Sequence, residues 1–254
     1  MVDEMNNNAP SDPCSTEPLS PELSYLVGCL KNGIPFEGWN YVRDFEANNN
    51  TLHISSRCRG SGTLKEFLVH GDIDVSKEKL VELILTMNQR SEWDETYVEH
   101  KIIRPSENAT DIVYTVSKYP FPLSKRVYTI KRSLYGSMDD VVVLATKVIP
   151  YDYPLSSRWI TRVDDFESNL IVSDIKDKPD HCRMIATLYE DPRVILPNMY
   201  LNLIIESLVP RILNKMFAAA KQYGSDKSTE FCRQLFCVPL DYKGESPSAT
   251  EDSA

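Results

Sequence analysis

The spacing of apolar residues predicts a first helix near the N-terminus and three strands after it. Residues 21–30 are apolar at helical intervals, and Asn32 with Gly33 supplies a stop signal. Alternation of apolar and polar residues then predicts strands at 39–46, 52–57 and 64–73. Because only short turns separate these strands, we expect an antiparallel meander.

A second helix is predicted over residues 77–87, with Asp74 ahead of it as the N-cap. Its apolar residues fall on one face: Leu80, Leu83, Ile84 and Met87. Seven further alternating segments follow, joined by short polar turns: 97–103, 111–118, 126–135, 141–149, 158–166, 170–175 and 182–189. They predict a long, curved antiparallel sheet.

A long final helix is predicted to begin at Pro197. One apolar residue per turn forms a stripe along it: Leu201, Ile204, Leu208, Ile212, Met216 and Ala220. Pro210 should kink this helix, because proline has no N–H for the bond to the preceding turn. The order of elements predicts an α+β domain in which one large sheet wraps around a closing helix.

Composition narrows the class of protein. The net charge of −9 argues against a general nucleic-acid binder, which needs a basic stripe to neutralise phosphates. The N-terminal residues lack the basic and apolar regions of a secretory signal, and the uncharged run 194–205 is too short to span a bilayer. We therefore expect a cytoplasmic protein whose six scattered cysteines are reduced and hold no metal.

Polar and acidic residues at both ends predict disordered tails at 1–20 and 243–254. Between them we expect one domain over 21–225. A C-terminal extension over 226–242 follows it, for which a helix is one option.

The segment 118–126 is the most distinctive local feature. Pro120 and Pro122 exclude a central strand, because neither can donate a ladder hydrogen bond. They predict an exposed, stiff loop that displays Phe121 and Leu123. Exposed apolar side chains on a loop tip indicate a binding target.

Five motifs together resemble START lipid-transfer domains, and the phosphatidylcholine carriers among them. They are Arg90-Ser-Glu-Trp-Asp94, Ile112-Val-Tyr-Thr-Val116, the segment 119–130, Asp191-Pro ahead of Leu196-Pro197, and the segment 208–213. The resemblance runs from about Ser20 to about Tyr223 in the same element order. It implies a helix-grip fold whose sheet and last helix enclose a tunnel for one lipid. The tunnel lining it implies is Leu201, Ile204, Leu208 and Ile212.

The resemblance gives Arg90 and Asp94 roles in holding the lipid headgroup. In the phosphatidylcholine carriers the matching arginine contacts the lipid phosphate and the matching aspartate holds the arginine. This role suits the donor fork of a guanidinium. The alternative is a surface ion pair at i, i+4 spacing, worth about 0.3–0.5 kcal/mol.

The same resemblance places an aromatic cage for choline at Thr115, Tyr128 and Phe166. Thr115 departs from the family's aromatic residue, and its hydroxyl can bond a different headgroup, such as ethanolamine or a ceramide hydroxyl. Tyr128 and Phe166 can instead be ordinary core aromatics. A second departure is Val127, where the family has an aspartate. Arg126 then either faces solvent and membrane phosphates or pairs with another carboxylate.

The loop 119–125 matches the family's mobile Ω loop. With the last helix, that loop forms a lid through which lipid enters. The lid and membrane-contact residues implied are Tyr119, Phe121, Leu123, Lys125, Arg126 and Pro210. Their apolar tips would insert into a membrane while the basic residues attract anionic headgroups. The alternative is that Phe121 folds back and caps the core.

Two other function classes stay open. Related helix-grip proteins include enzymes, but this sequence has no nucleophile elbow, no phosphate-binding glycine loop and no paired metal-ligand motif. A lipid sensor that recruits a protein partner through its acidic tails is also compatible with the composition. The combined expectation is a monomeric carrier without cofactor or metal that contacts membranes transiently. Its expected cargo is one phospholipid, phosphatidylcholine ahead of sterol or ceramide.

Overall fold

The structure is a computed structural model that describes residues 18–60, 64–86, 90–107, 110–119, 123–151, 160–191 and 204–222. Several predictions lie outside these ranges: most of the N-terminal tail, the extension at 226–242, the C-terminal tail, Phe121, Leu201 and the helix start at Pro197. The side chain of Ile204 also lies outside the description.

The first helix and the meander form as predicted. Helix α1 spans Pro21–Asn32, with the Ser20 hydroxyl accepting a hydrogen bond from Leu23 N–H and Gly33 ending the helix at φ 65°. Strands β1 (Asn40–Ala47), β2 (Asn50–Cys58) and β3 (Lys65–Ile73) pair in sequence as antiparallel neighbours.

Helix α2 (Lys77–Leu85) is shorter than predicted, and its N-cap is Ser76. The prediction of Asp74 as the cap is wrong, because Asp74 instead binds the ammonium of Lys221 at 2.5 Å. Arg90–Trp93 form a separate short helix, α3, so Arg90 does not lie at the end of α2 as predicted.

Seven more strands complete the sheet: β4 (Tyr97–Glu107), β5 (Thr110–Ser117), β6 (Lys125–Gly136), β7 (Val141–Val148), β8 (Ile160–Arg162), β9 (Phe166–Ile175) and β10 (Lys178–Glu190). The predicted strand at 158–166 is wrong. Only β8 forms there, parallel to β6, and Phe166 begins the next strand. Asp164 and Asp165 separate the two, and aspartate is disfavoured in strands.

Within the described ranges the strands form one ten-stranded sheet in the order β1-β2-β3-β10-β9-β7-β6-β5-β4, with β8 beside β6. Neighbours along the main order are antiparallel, which confirms the predicted sheet.

Strand alternation gives the sheet two differently covered faces. On the outer face, α1 packs against strand residues such as Ile171 and Ile185. On the inner face, α2 and the last helix pack against their neighbours Val172 and Met184. The two cores therefore share strands but not side chains.

The described part of the last helix is a π-helical turn at Ile204–Leu208 followed by α4 at Val209–Gln222. Pro210 lies where the helix type changes, which is where its missing N–H predicts an irregularity. Helix α4 packs against α2, α3 and β1. No helix among the described residues is long and apolar enough to span a bilayer.

The predicted apolar stripe on this helix is only partly buried. Met216 and Ala220 are buried in the inner-face core, together with Phe217. Leu208 and Ile212 are half-buried.

Candidate functional site

Three of the residues predicted to bind a headgroup, Thr115, Tyr128 and Phe166, lie near the end of β5 and the starts of β6 and β9. Thr115 on β5 and Tyr128 on β6 are direct cross-strand partners. Phe166, at the start of β9, is paired with Glu190 at the end of β10. The sheet thereby brings together positions that are far apart in the sequence.

These side chains share the inner face. Tyr128 is in phase with Leu134 along β6, and Glu190 is in phase with Met184 along β10, and both reference residues belong to the inner-face core. The rings of Tyr128 and Phe166 meet edge to face, with centroids 5.1 Å apart.

Glu190 is a buried carboxyl group at the centre of this site, and it is not among the residues predicted from the sequence. Its Oε2 accepts a hydrogen bond from the Tyr119 hydroxyl at 2.5 Å and one from the Tyr128 hydroxyl at 3.1 Å. Its Oε1 is also buried but has no hydrogen-bond partner within the described ranges. One carboxylate oxygen thus accepts two hydrogen bonds, whereas the other accepts none from the described residues.

The ionisation of these groups follows from burial and from each other's charge. Burial raises the pKa of Glu190, while the two tyrosine hydroxyls and the charge of Arg126 lower it. Burial and the carboxylate also raise the pKa values of Tyr119 and Tyr128, so both hydroxyls keep their protons and act as donors.

Arg126, which the resemblance assigns to the lid and membrane contact, lies in this site. It is only 2% exposed. Its Nη1 donates to the Ser124 hydroxyl at 2.9 Å, and its guanidinium carbon lies 5.4 Å from the centre of the Tyr119 ring. Of the two alternatives left by the sequence, the second has a candidate carboxyl group in Glu190, whose pKa the charge of Arg126 acts to lower.

The loop residues that flank the proline segment have different environments. Tyr119 turns its hydroxyl inward to Glu190. Leu123 is half-buried and Lys125 is exposed.

Arg90 and Asp94 form the predicted ion pair on and beside α3. Arg90 Nε donates to Asp94 Oδ2 at 2.9 Å, and Asp94 is 3% exposed while Arg90 is 35% exposed. The other carboxylate oxygen accepts bonds from the backbone N–H and the hydroxyl of Thr96, at 3.0 and 2.6 Å. Asp94 is therefore fixed and orients Arg90 through Nε, which leaves donors on the terminal guanidinium nitrogens.

One aromatic residue connects the ion pair to the cage. The guanidinium carbon of Arg90 lies 5.8 Å from the centre of the Tyr97 ring. Tyr97 packs in one cluster with Tyr128 and Phe166. A continuous path of contacts therefore runs from Arg90 to Glu190.

Thr115 uses its hydroxyl proton locally. The hydroxyl donates to the backbone carbonyl of Glu99 on β4 at 3.3 Å. The oxygen remains an acceptor, but Thr115 offers no ring face opposite Tyr128.

Leu188 is 40% exposed although it shares the inner face with the core. It lies on β10 one alternation before Glu190, and its cross-strand partner is Phe67. Apolar surface is therefore accessible directly beside the polar site.

A cleft of about 620 Å³ lies away from this site, on the outer face. The end of α1 and strands β2, β3 and β10 line it, including His53 and His70. None of the predicted site residues lines this cleft. Within the described ranges, no cluster of three or more His, Cys, Asp or Glu side chains could hold a metal ion.

A signal for Glu190 is present in the sequence. Along β10 the inner-face positions are apolar in turn: Cys182, Met184, Ala186 and Leu188. Glu190 ends this row with a carboxyl group where the alternation calls for an apolar residue. An acid in phase with an apolar row indicates a functional position.

Comparisons with known proteins identify a family for most of the chain. The START domain model matches residues 30–226. Phosphatidylcholine transfer protein of Mus musculus is 27% identical over 165 residues, covering 63% of this chain and 75% of that protein. START domain-containing protein 10 of Homo sapiens is 27% identical over 151 residues, covering 59% of this chain and 50% of that protein.

Solved structures share the fold. Human STARD10 superposes with a TM-score of 0.64 at 20% identity, covering 79% of this chain and 78% of that one. Human StAR-related lipid transfer protein 5 gives a TM-score of 0.60 at 14% identity, covering 83% and 96%. These similarities confirm the α+β helix-grip fold.

Proposed function

The chain belongs to the START domain family, and on this premise we propose that it carries one phospholipid between membranes without changing it chemically. Phosphatidylcholine is the cargo we propose first. The names of the phosphatidylcholine transfer proteins among its relatives support this choice.

One observation carries the proposal: the inner face holds a guanidinium and a carboxyl–aromatic group joined by a continuous cluster. Arg90 presents N–H donors suited to a phosphate. Tyr128 and Phe166 present rings, and Glu190 presents a carboxyl group, suited to a quaternary ammonium. A zwitterionic headgroup has this pair of charges.

The apolar residues beside the site suit the rest of such a lipid. We propose that Leu188, Leu208 and Ile212 contact acyl chains. Moving a diacyl lipid through water exposes about 30 methylene groups at about 0.8 kcal/mol each, a barrier of order 20 kcal/mol. A protein interior that covers the chains lowers that barrier.

We further propose that lipid enters beside the proline segment and α4. Leu123, Lys125 and Phe121 would contact the membrane surface. Pro210 would allow the last helix to bend during lipid entry.

The test measures loading of the protein with phosphatidylcholine from donor vesicles and its transfer to acceptor vesicles, with Arg90→Lys as the variant. Lysine keeps the charge but loses the planar donor fork. Phospholipid loading should therefore fall about tenfold, which corresponds to the loss of one charge-assisted hydrogen bond. Arg183→Lys is the matched control, because the Arg183 guanidinium also donates to an aspartate, Asp72, but at an exposed position on β10. Its loading should match that of the unmodified protein.

The same preparations distinguish other functions. Mass spectrometry of the lipid bound to the purified protein would contradict the proposal if it showed sterol or ceramide in place of phospholipid. Conversion of an added phospholipid to products would indicate an enzyme.

A further inference from the structure

We propose that the outer-face cleft is a second binding site, which takes a small aromatic amine in its protonated form. The ring of the ligand would lie against a row of three protein rings, and its ammonium group would face two carboxylates. This proposal is independent of lipid carriage, because none of the predicted headgroup-binding residues lines the cleft.

The cleft has the size of a small-molecule site, and one of its walls is already fixed. Its volume is about 620 Å³, and ligand pockets commonly occupy about 300–1,000 Å³. Residues 33–36, which follow α1, form this wall. The hydroxyl of Tyr25 donates to the Pro35 carbonyl at 2.9 Å and accepts from the Glu37 N–H at 2.8 Å. Because these bonds hold the wall, a ligand does not have to order it on binding.

Three aromatic side chains form a row along the cleft: Phe36, His70 and His53. His53 and His70 are direct cross-strand partners on β2 and β3, and their ring centroids lie 5.0 Å apart. The ring centroid of Phe36 lies 4.5 Å from that of His70. Aromatic rings make favourable offset or edge contacts at such distances, so a planar ligand can extend the row. This wall favours an aromatic ligand over an aliphatic one.

Carboxylates set the sign of the charge that a ligand would meet at His70. Burial, followed by the charge of His53, lowers the pKa of His70 to about 4, so its imidazole is neutral at neutral pH. The carboxylates of Asp44 and Asp72 act on the same ring in the opposite direction. Both are about half exposed, so a ligand ammonium beside them keeps part of its hydration. It therefore gains their attraction without the full burial cost that keeps His70 neutral.

His70 also has a hydrogen-bonding nitrogen to offer. A neutral imidazole carries one N–H donor and one acceptor nitrogen. The Nδ1 atom of His53 lies 2.6 Å from Asp44 Oδ1, whereas the described residues give His70 ring contacts but no hydrogen bond. An ammonium N–H can therefore donate to His70. A carboxylate on the ligand would instead meet the like charges of Asp44 and Asp72.

The first experiment uses two probes that share a ring and differ in charge, tryptamine and indole-3-acetate. At neutral pH the first carries an ammonium and the second a carboxylate. The full chain, labelled with ¹⁵N in its histidine rings, is titrated with each probe and followed by NMR. Tryptamine should shift the ring signals of His53 and His70 and bind about tenfold more tightly than indole-3-acetate. Added salt should narrow this difference.

The other two histidines of the chain, His100 and His181, are internal controls, because neither lines the cleft. The ring of His100 contacts that of Tyr97, which packs in the cluster of the candidate lipid site. Tryptamine bound in that site would therefore move the His100 signal. Shifts at His100 or His181 without shifts at His53 and His70 would overturn the proposal, as would the absence of any shift at millimolar tryptamine.

Asp44→Asn tests the role of charge. Asp44 is the informative carboxylate, because Asp72 already binds Arg183 through both of its oxygens. The substitution should lower the affinity for tryptamine about fivefold without lowering that for indole-3-acetate. The matched control is Asp139→Asn, which changes an exposed aspartate in the turn between β6 and β7, outside the cleft. Equal affinities of the two variants for tryptamine would contradict the proposal.

His70→Gln tests the row of rings. Glutamine keeps a hydrogen-bonding side chain but has no ring, so the affinity for tryptamine should fall about tenfold. His181→Gln, at a half-buried position on β10 outside the cleft, should bind tryptamine as the unmodified protein does. An unchanged affinity in His70→Gln would overturn the proposal. Failure of the unmodified protein to load phosphatidylcholine would overturn the proposed carriage but not this site.

Discussion

At the residue scale, His70 is held neutral on the outer face. Its ring lies 4.5 Å from that of Phe36 and 5.0 Å from that of His53. Burial, followed by the charge of His53, lowers its pKa from 6.5 to about 4, although Asp44 and Asp72 oppose the change. The unfolded chain therefore binds a proton between these pH values that the folded protein does not.

The sign of the pH effect follows directly. Where the unfolded state binds more protons, the free energy of unfolding rises with pH. The contribution of His70 to stability is thus present above pH 6.5 and is lost as the pH falls towards 4. In His70→Gln, the melting temperature should fall less steeply with decreasing pH over this interval. The change in slope should be smaller than the binding of one full proton would give, because His70 is partly exposed. An unchanged slope would contradict this.

The residues of the candidate site differ in how far the sequence reveals them. Arg90 and Asp94 are four residues apart, so their ion pair follows from local spacing. The inward direction of the Tyr119 side chain does not follow from local spacing, because its partner Glu190 lies 71 residues further along the chain. Local patterns carry no information about such a partner until the strand order is known.

At the element scale, ion pairs join α4 to Glu95, the residue that follows Asp94. The carboxylate of Glu95 pairs with Arg211 and, at 2.5 Å, with Lys215, both on α4. These cations lower the pKa of Glu95, with the hydrogen bond from Lys215 as the main cause. One acidic side chain thereby joins the last helix to the end of the sheet that holds the candidate site.

If lipid exchange requires α4 to move, Glu95→Gln should speed vesicle transfer, by about twofold to fivefold, since exposed ion pairs contribute little individually. Raising the salt concentration should narrow the difference, because salt screens the pairs in the unmodified protein. Asp72→Asn is the control: it breaks a similarly exposed pair with Arg183, away from α4. Equal transfer rates in all three proteins would exclude the fastening role.

Long elements follow from the apolar pattern, whereas short ones do not. The strands of the meander and α1 lie where alternation and helical spacing place them. Helix α3 has four residues and β8 has three, too few to show a period of 3.6 or 2. Both depend on contacts with neighbouring elements.

At the scale of the whole molecule, the domain includes residues that precede α1. Leu19 packs against the outer-face core, and the Ser20 hydroxyl caps α1. These two residues therefore belong with the domain, although composition groups them with the N-terminal tail. A truncation that tests the tails should stop at residue 17.

Removal of residues 1–17 and 244–254 should leave phosphatidylcholine transfer unchanged if the domain alone is the carrier. Extending the first deletion through residue 20 should lower stability by about 1 kcal/mol through loss of the cap, measurable by urea unfolding. Loss of transfer in the shorter truncation would assign the tails a part in carriage and favour the sensor hypothesis.

The two carboxylate oxygens of Glu190 differ in their hydrogen bonds, and this difference couples lipid loading to the loop. One oxygen accepts from Tyr119, the last described residue before the proline segment, and the other has no hydrogen-bond partner within the described ranges. Because both oxygens share one charge, a donor arriving at Oε1 weakens the acceptor strength of Oε2. By thermodynamic reciprocity, the hold on Tyr119 then changes the affinity for that donor by the same factor. Lipid loading and the release of Tyr119 at the start of the loop would be coupled through the Glu190 side chain. A change in one equilibrium would therefore also change the other.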